Sequence, residues 1–235
     1  MKIAIIGYGK LGKAVAEIAA EKGWTVVAKV NKGENWDPLS WGADVAFESS
    51  APDCAVDNAL KCLAIGLPVV IGTTGWHDRM AEVEVAAKEN KSLVFHATNF
   101  SLGVHLLNQI SSYMTRVMMQ FPEYTASIQE THHTQKLDSP SGTAITLSNV
   151  VDKVRNTTAE TTPEIQIDSY REGNVIGIHE LVWKSEVDVL ALRHDAISRR
   201  GFALGAFNAA VWVVERRNEN LNGVFTMNDL ISEIK

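Results

Sequence analysis

The stretch Glu130-Thr-His-His-Thr-Gln-Lys136-Leu-Asp-Ser-Pro-Ser-Gly-Thr143 carries the densest chemistry in the chain. Two adjacent imidazoles, and an ammonium four residues after the first, precede a Ser-Pro-Ser-Gly-Thr turn that reads as a helix start. Imidazole is the side chain that gives or takes a proton near neutral pH without a large perturbation. A helix start offers free amide N–H groups and the positive end of the helix dipole, which together favour an anion. Proton donors are thus joined to an anion-binding element. The spacing predicts a helix beginning near Ser139, with Pro140 in its first turn, where the missing N–H is no loss. That start would expose the amides of Ser141, Gly142 and Thr143 and the Thr143 hydroxyl to an anion. His133 and Lys136 are placed to add charge-assisted bonds. Strand alternation sends His132 and His133 to opposite sides, and spacing does not decide which faces a substrate. Asp138 is expected to orient the loop through local hydrogen bonds. His179 and His194 lie on strand-like segments and read as structural.

A second constellation opens the chain. Lys2–Ile6 is a short apolar run, followed by Gly7-Tyr8-Gly9-Lys10-Leu11-Gly12 and then by Val15, Ile18 and Ala19 at helical spacing. Strand, glycine turn and helix in that order form a dinucleotide-binding fingerprint. The first glycine makes the turn, the second lets backbone approach a pyrophosphate, and the third lets helix and strand pack closely. The next strand, Thr25–Val30, ends at Asn31-Lys32, where an NAD-selective site usually carries an acid. A neutral amide beside a lysine tilts the expectation toward NADPH, while Glu34 keeps NADH open.

These residues need a scaffold, and the pattern around them supplies one. Asp44–Phe47, Leu67–Ile71 and Ser92–Phe95 read as further strands, with helices over Asp53–Ile65 and from Trp76 between them. Such alternation with short links predicts a parallel, doubly wound sheet whose ligands lie beyond the carboxyl ends of its strands. Ser49 and Ser50, Gly72-Thr73-Thr74, and Ala97-Thr98-Asn99-Phe100 fall at those ends and are the expected cofactor contacts. After Leu102 the pattern changes to a Leu- and Met-rich helix over Val104–Gln120, in which Met118 and Met119 read as core. Strands Tyr124–Glu130, Ile165–Tyr170, Ile178–Lys184 and Val187–Arg193 follow. This is an α+β unit with an open, mostly antiparallel sheet and helices on one face. Subunit association is one way to cover the other face. A last helix over Phe202–Arg217 and a tail over Gly223–Ile234 should return to the first unit. The expected division is 1–101 with 200–235 for the dinucleotide, and 102–199 for the substrate.

Composition narrows the class. In 235 residues, 46% are hydrophobic and 21% charged, and the net charge of −6 lacks the basic face that nucleic-acid binding requires. No apolar run approaches the ~20 residues of a membrane span, and no signal peptide precedes the first strand. Cys54 and Cys62 sit on one predicted helix ~12 Å apart, too far to bridge each other. Neither has metal-ligand spacing, so no metal site is expected. A reduced, cytoplasmic protein fits.

With both halves read, the chain resembles the 4-hydroxy-tetrahydrodipicolinate (dihydrodipicolinate) reductase family over nearly its whole length. The resemblance rests on Gly7-x-Gly9-x-x-Gly12, Val70-Ile-Gly-Thr-Thr-Gly75, Asn99-Phe-Ser-Leu-Gly103 and His132-His133…Lys136…Pro-Ser-Gly-Thr143. It extends to Arg171-x-Gly173-x-x-x-Gly177-x-His179 and Ser198-Arg199-x-x-Phe202-Ala-x-Gly205. The chain departs from the family in its short Lys32–Asp44 segment, in Glu48-Ser-Ser-Ala-Pro52 where Asp-Phe-Thr-x-Pro is usual, and in Asn31 where an acid is frequent. The resemblance implies hydride transfer from NADPH or NADH to a cyclic, unsaturated dicarboxylate imine of the diaminopimelate route to lysine. It implies His132 as general acid, Lys136 as second donor, and His133 with Ser141, Gly142 and Thr143 as substrate contacts. It also implies a homotetramer built through the second unit. Arg199, near the return to the first unit, reads from its position as a cofactor contact or hinge cation, with a surface ion pair as the alternative. Two other readings use the same fold: another dehydrogenase of an amino-acid precursor, and a dinucleotide sensor without chemistry.

Overall fold

The computed structural model describes residues 1–157 and 163–232. The chain divides into two units, Met1–Leu102 with Arg200–Lys235, and Gly103–Arg199.

The first unit begins with β1 (Lys2–Ile6), α1 (Lys10–Glu21), β2 (Thr25–Val30), β3 (Val45–Glu48), α2 (Pro52–Leu63), β4 (Val69–Ile71), α3 (Met80–Glu89) and β5 (Leu93–His96). The strands are short apolar runs because both of their faces are covered. Ile3, Ile5, Val45, Phe47, Val70, Leu93 and Phe95 point into one core cluster. Their neighbours Ile6, Ala46, Val69, Ile71 and Val94 point into another with α2 and α3. That alternation is the period of a strand expressed as two helical layers. Phe47 and Phe95 are fully buried, worth ~1.5–3 kcal/mol each.

The second unit takes α4 (Leu102–Met118) from Gly103 onward, then β6 (Thr125–His132), α5 (Gly142–Arg155), β7 (Gln166–Arg171), β8 (Ile178–Lys184) and β9 (Val189–Asp195). Its sheet runs β7-β6-β8-β9. β6 pairs parallel with β7 and antiparallel with β8, and β8 pairs antiparallel with β9. Leu107 and Met118 of α4, and Ala144, Leu147 and Val151 of α5, share a core with Ile128, Leu181 and Trp183 of the sheet. Met119 packs against that same core.

The chain then returns to the first sheet through α6 (Arg200–Asn218), β10 (Gly223–Thr226) and α7 (Met227–Ser232). β10 pairs parallel with β5, giving six strands in the order β10-β5-β4-β3-β1-β2. The part of the expected tail at 233–235 lies outside the described residues. α6 closes the first core with Ala203, Ala206, Phe207, Ala209, Ala210 and Trp212. A doubly wound parallel unit and a mixed four-stranded unit are thus the two parts of the fold. Among the described residues, no helix is long and apolar enough to cross a membrane.

Several boundaries differ from the sequence reading. No α-helix begins at Trp76: Gly75 has φ +79°, the Trp76 indole donates to Thr73 O at 2.9 Å, and a 3₁₀ turn (His77–Arg79) precedes α3. β3 runs one residue further, to Glu48, and β9 starts two residues later because Ser185 and Asp188 close a turn. α5 begins at Gly142 with Ser141 as its N-cap, so Pro140 precedes the helix instead of opening it. Ser141 Oγ accepts from Ala144 N at 3.2 Å, a side-chain N-cap bond.

The glycine turn supplies a test of the packing. A Cβ on Gly12 would lie 2.2 Å from Gly7 O, whereas one on Gly9 meets nothing within 4 Å. Gly12→Ala should therefore destabilise the protein by about 3 kcal/mol, while Gly9→Ala leaves the melting temperature nearly unchanged. Thermal denaturation of both variants followed by circular dichroism checks this; equal melting temperatures would refute it.

Candidate functional site

In the first unit, strand order reverses between β1 and β3, the place where parallel sheets leave a crevice beyond their carboxyl ends. Gly7 sits there with φ +89°, so close to β3 that a Cβ would fall 2.4 Å from Ser49 O. Ser49 Oγ donates to Gly7 O at 3.0 Å and fastens the two strand ends. Gly9 is the N-cap of α1, which has no side-chain cap, so the amides of the first turn at Lys10, Leu11 and Gly12 are left for an outside acceptor. Open space at Gly9 and an uncapped helix start fit a pyrophosphate. Tyr8 N donates to Asn31 Oδ1 at 3.1 Å, and Asn31 N to Glu34 Oε2 at 3.0 Å, tying the end of β2 to the glycine turn. Lys32 forms an ion pair with Asp53, both side chains largely exposed.

Glu48 holds the next two turns together. Its carboxylate is wholly buried and accepts from Ser50 N at 3.1 Å, Thr73 Oγ1 at 2.6 Å and Asn58 Nδ2 at 3.3 Å, with the Ser50 hydroxyl also on Oε1. Gly72 N donates to Glu48 O at 2.7 Å. Ser50, Gly72 and Thr73 are thereby placed around one acid, with Thr74 the next residue along the turn. Ala97, Thr98, Asn99 and Phe100 follow the end of β5, where Asn99 Oδ1 accepts from Ser101 N at 2.8 Å and Phe100 is buried.

In the second unit, β6 carries Glu130 and His132 on one buried side, two residues apart. The strand ends there, so His133 starts the loop and is part-exposed. Glu130 is wholly buried, and Oε1 accepts from Ser141 N at 3.0 Å, Ser169 Oγ at 2.8 Å and Arg171 Nη2 at 3.4 Å. Burial alone would raise its pKa, but the bonds from Ser141 and Ser169 outweigh burial and hold the carboxyl below its usual range. His132 Nδ1 lies 3.1 Å from Glu130 Oε2, and the His132 and His179 rings meet edge to face at 5.0 Å. Burial lowers the pKa of His132, against the opposing pull of Glu130. Burial and the neighbouring His132 push His179 down to about 4, so its ring is neutral. His179 Nε2 is 3.1 Å from Ser141 Oγ.

Donor atoms of Glu130, His132 and His179 lie within 4.8 Å of one another, a spacing a metal could use. The Arg171 guanidinium on the same carboxylate opposes a second cation there and favours proton chemistry.

The loop after His133 is held from outside. Arg171 donates to Lys136 O at 3.3 Å and Asp138 O at 2.6 Å, and Thr134 N donates to Gly173 O at 3.2 Å. Lys136 Nζ donates to both Asp138 oxygens at 2.9 Å. Arg199 Nη2 is 3.4 Å from His133 Nε2, which must accept because a guanidinium only donates. Arg199 thus stands beside a proposed substrate residue in the second unit. The Ser141 amide, expected to be exposed, instead donates to Glu130 Oε1, so the N–H groups left at the helix start are those of Gly142 and Thr143.

The sequence reading gave roles to His132 and Lys136, whereas Glu130, Arg171 and Gly177 entered only as parts of motifs, with no role. A Cβ on Gly177 would sit 3.0 Å from His132 Nε2, so this glycine leaves that edge of the imidazole unobstructed. An acid two residues before a histidine on one strand was the available signal.

The chain is similar to known proteins over nearly its whole length. The model for the N-terminus of dihydrodipicolinate reductase matches residues 1–100, and that for its C-terminus matches residues 103–231. A 4-hydroxy-tetrahydrodipicolinate reductase of Christiangramia forsetii is 37% identical over 241 residues, covering 100% of this chain and 99% of that protein. One of Clostridium novyi is 31% identical over 247 residues, covering 95% and 94%. A dipicolinate-bound dihydrodipicolinate reductase from Paenisporosarcina sp. TG-14 shares the fold, with a TM-score of 0.76 at 24% identity, over 96% of this chain and 97% of that one. The chain belongs to the dihydrodipicolinate reductase family.

Proposed function

We infer that this protein is an NAD(P)H-dependent 4-hydroxy-tetrahydrodipicolinate reductase, acting in lysine biosynthesis through diaminopimelate. The observation that carries the reading is a buried imidazole, His132, joined through one carboxylate to an anion-binding helix start. That pair lies in a chain matched over its full length by reductases of that name.

Bound reduced nicotinamide supplies the hydride. Gly7, Gly9 and the first-turn amides of α1 would hold its pyrophosphate, Asn31 and Lys32 would meet the adenosine, and the turns at Ser49-Ser50, Gly72–Thr74 and Ala97–Phe100 would hold the nicotinamide side. Domain roles follow: residues 1–101 with 200–235 bind the cofactor, and 102–199 bind substrate and build a homotetramer. A small cyclic dicarboxylate places one carboxylate on the amides of Gly142 and Thr143 and the Thr143 hydroxyl. His133 and Lys136 add charge-assisted bonds. Lys136 must leave the exposed Asp138 carboxylate to do so. His132 delivers the proton as electrons move onto the ring, and Lys136 polarises the ring nitrogen. NADPH is the slightly favoured cofactor, because Lys32 can trade its exposed pairing with Asp53 for a 2′-phosphate. A cytoplasmic enzyme suits this biosynthetic role.

Three measurements test the reading. In a coupled assay with pyruvate, aspartate semialdehyde and the upstream synthase, NADPH and NADH oxidation should depend on this protein. His132→Gln should lower kcat by ~10²–10⁴ and Lys136→Ala by ~10², the range for losing a proton donor. Near-normal kcat in both variants would remove the proposed roles.

The sign of the pH dependence follows from burial. The acid form of His132 is lost as pH rises through a value below the ordinary imidazole range. kcat/KM should therefore fall as pH rises from the acid side toward neutrality, with its midpoint below that of an ordinary imidazole, while kcat holds to higher pH because bound carboxylates favour imidazolium. A kcat/KM that is flat or rising over that window would contradict the assignment.

Lys32→Glu should raise KM for NADPH by about tenfold or more, relative to NADH, as a 2′-phosphate meets a like charge. Unchanged KM for both cofactors would show that Lys32 does not read the phosphate.

A further inference from the structure

The two oxygens of Glu130 have different surroundings. Oε1 collects the donors at Ser141, Ser169 and Arg171. Oε2 faces His132 Nδ1 at 3.1 Å and His179 Nε2 at 3.8 Å, with neither ring N–H aligned on it. Glu130 Oε2 and His132 Nδ1 are each buried without a hydrogen bond, and each is the other's nearest such partner. Buried polar atoms are costly when unpaired. A small rotation of the imidazole would bring the N–H into line, and catalytic hydrogen bonds are often misaligned until substrate binds.

We propose that Glu130 is a positioning residue: Oε2 fixes His132 as the Nδ1–H tautomer with Nε2 free at the Gly177 edge, while Oε1 sets the start of α5. One carboxylate thereby places both the proton donor and the carboxylate-binding amides. The role rests on the reading that His132 delivers the proton. An orienting acid behind a histidine fixes the tautomer and stabilises the imidazolium that proton transfer requires. The groups acting on His132 are Glu130, His179, Lys136, Arg171 and Asp138. Lys136 and Arg171 oppose the imidazolium, Glu130 and Asp138 favour it, and Glu130 is the one in contact. His179, pushed down to about 4, stays neutral and does not compete for the carboxylate.

Glu130→Gln separates positioning from packing. The amide keeps a carbonyl for Ser141 and Ser169 but turns a donor toward His132, which must then carry its proton on Nε2. Long-range ¹H–¹⁵N correlation spectra of histidine-labelled full-length protein, assigned with His132→Gln, read the tautomer directly. The wild type should show Nδ1–H and Glu130→Gln should show Nε2–H. In the assay, Glu130→Gln should lower kcat by about 10² or more with little change in KM. It should also move the alkaline limb of kcat/KM down by about one pH unit. An Nε2–H tautomer in the wild type overturns the proposal without any Glu130 variant, so misfolding cannot obscure the result. A folded Glu130→Gln enzyme with unchanged tautomer and pH limb also overturns it. Wild-type kcat in His132→Gln would instead remove proton delivery by His132, and with it this role for Glu130.

Discussion

A carboxylate removed from water must have its lone pairs met, and Glu130 is removed from water completely. It recruits Ser141, Ser169 and Arg171, which lie 11, 39 and 41 residues further along the chain. The parallel register of β6 with β7, which pairs Glu130 with Ser169 and His132 with Arg171, brings two of them to it. The third arrives because the loop after β6 turns back and starts α5 beside the strand. Breaking one partner from a buried charge of this kind typically costs 3–5 kcal/mol, so the arrangement is held tightly. Glu48 repeats the device in the first unit, where a wholly buried acid at the end of β3 gathers the Ser50 and Thr73 turns.

The histidines answer to the same acid. Burial lowers the pKa of both His132 and His179, and Glu130 works against burial at each. The balance differs because burial weighs more on His179, the neighbouring His132 pushes it down further, and its nitrogen is 3.8 Å from Oε2 where that of His132 is 3.1 Å. One ring is left able to change charge, and the other stays neutral against Ser141. Arg171 contributes from the other side: it shares Glu130 and also holds the carbonyls of Lys136 and Asp138. A single guanidinium therefore links the buried acid to the loop that carries the second proposed donor.

The layered fold was legible because apolar periodicity is local. Ile3 and Ile5 against Ile6, or Val70 against Val69 and Ile71, already spell two covered faces. The glycine turn was legible because its spacing answers to a geometric need at Gly7 and Gly12. The start of α5 was not. Ser139 and Ser141 are equally good caps by residue type, and the choice is made by the remote bond from Ser141 N to Glu130. Trp76 reads as a helix opener until its indole is seen pinned to Thr73 O. Glu130 was visible as part of a polar segment, yet its burial depends on partners that no local window contains.

The first sheet is built from both ends of the chain, and this gives its assembly an order in time. β1 to β5 are translated as one block, but β10, which pairs on β5, and α6, which seals the face bearing Ile3, Phe47 and Phe95, come after Gly103–Arg199. On the ribosome, the early strands wait for the whole second unit to be made. During that interval they carry an open β5 edge and an uncovered apolar layer, the surfaces by which nascent chains aggregate. The second unit has no such debt, since its strands and helices are contiguous. Vectorial synthesis thus finishes the Gly103–Arg199 unit first and leaves the parallel-sheet unit to be closed by α6 and β10.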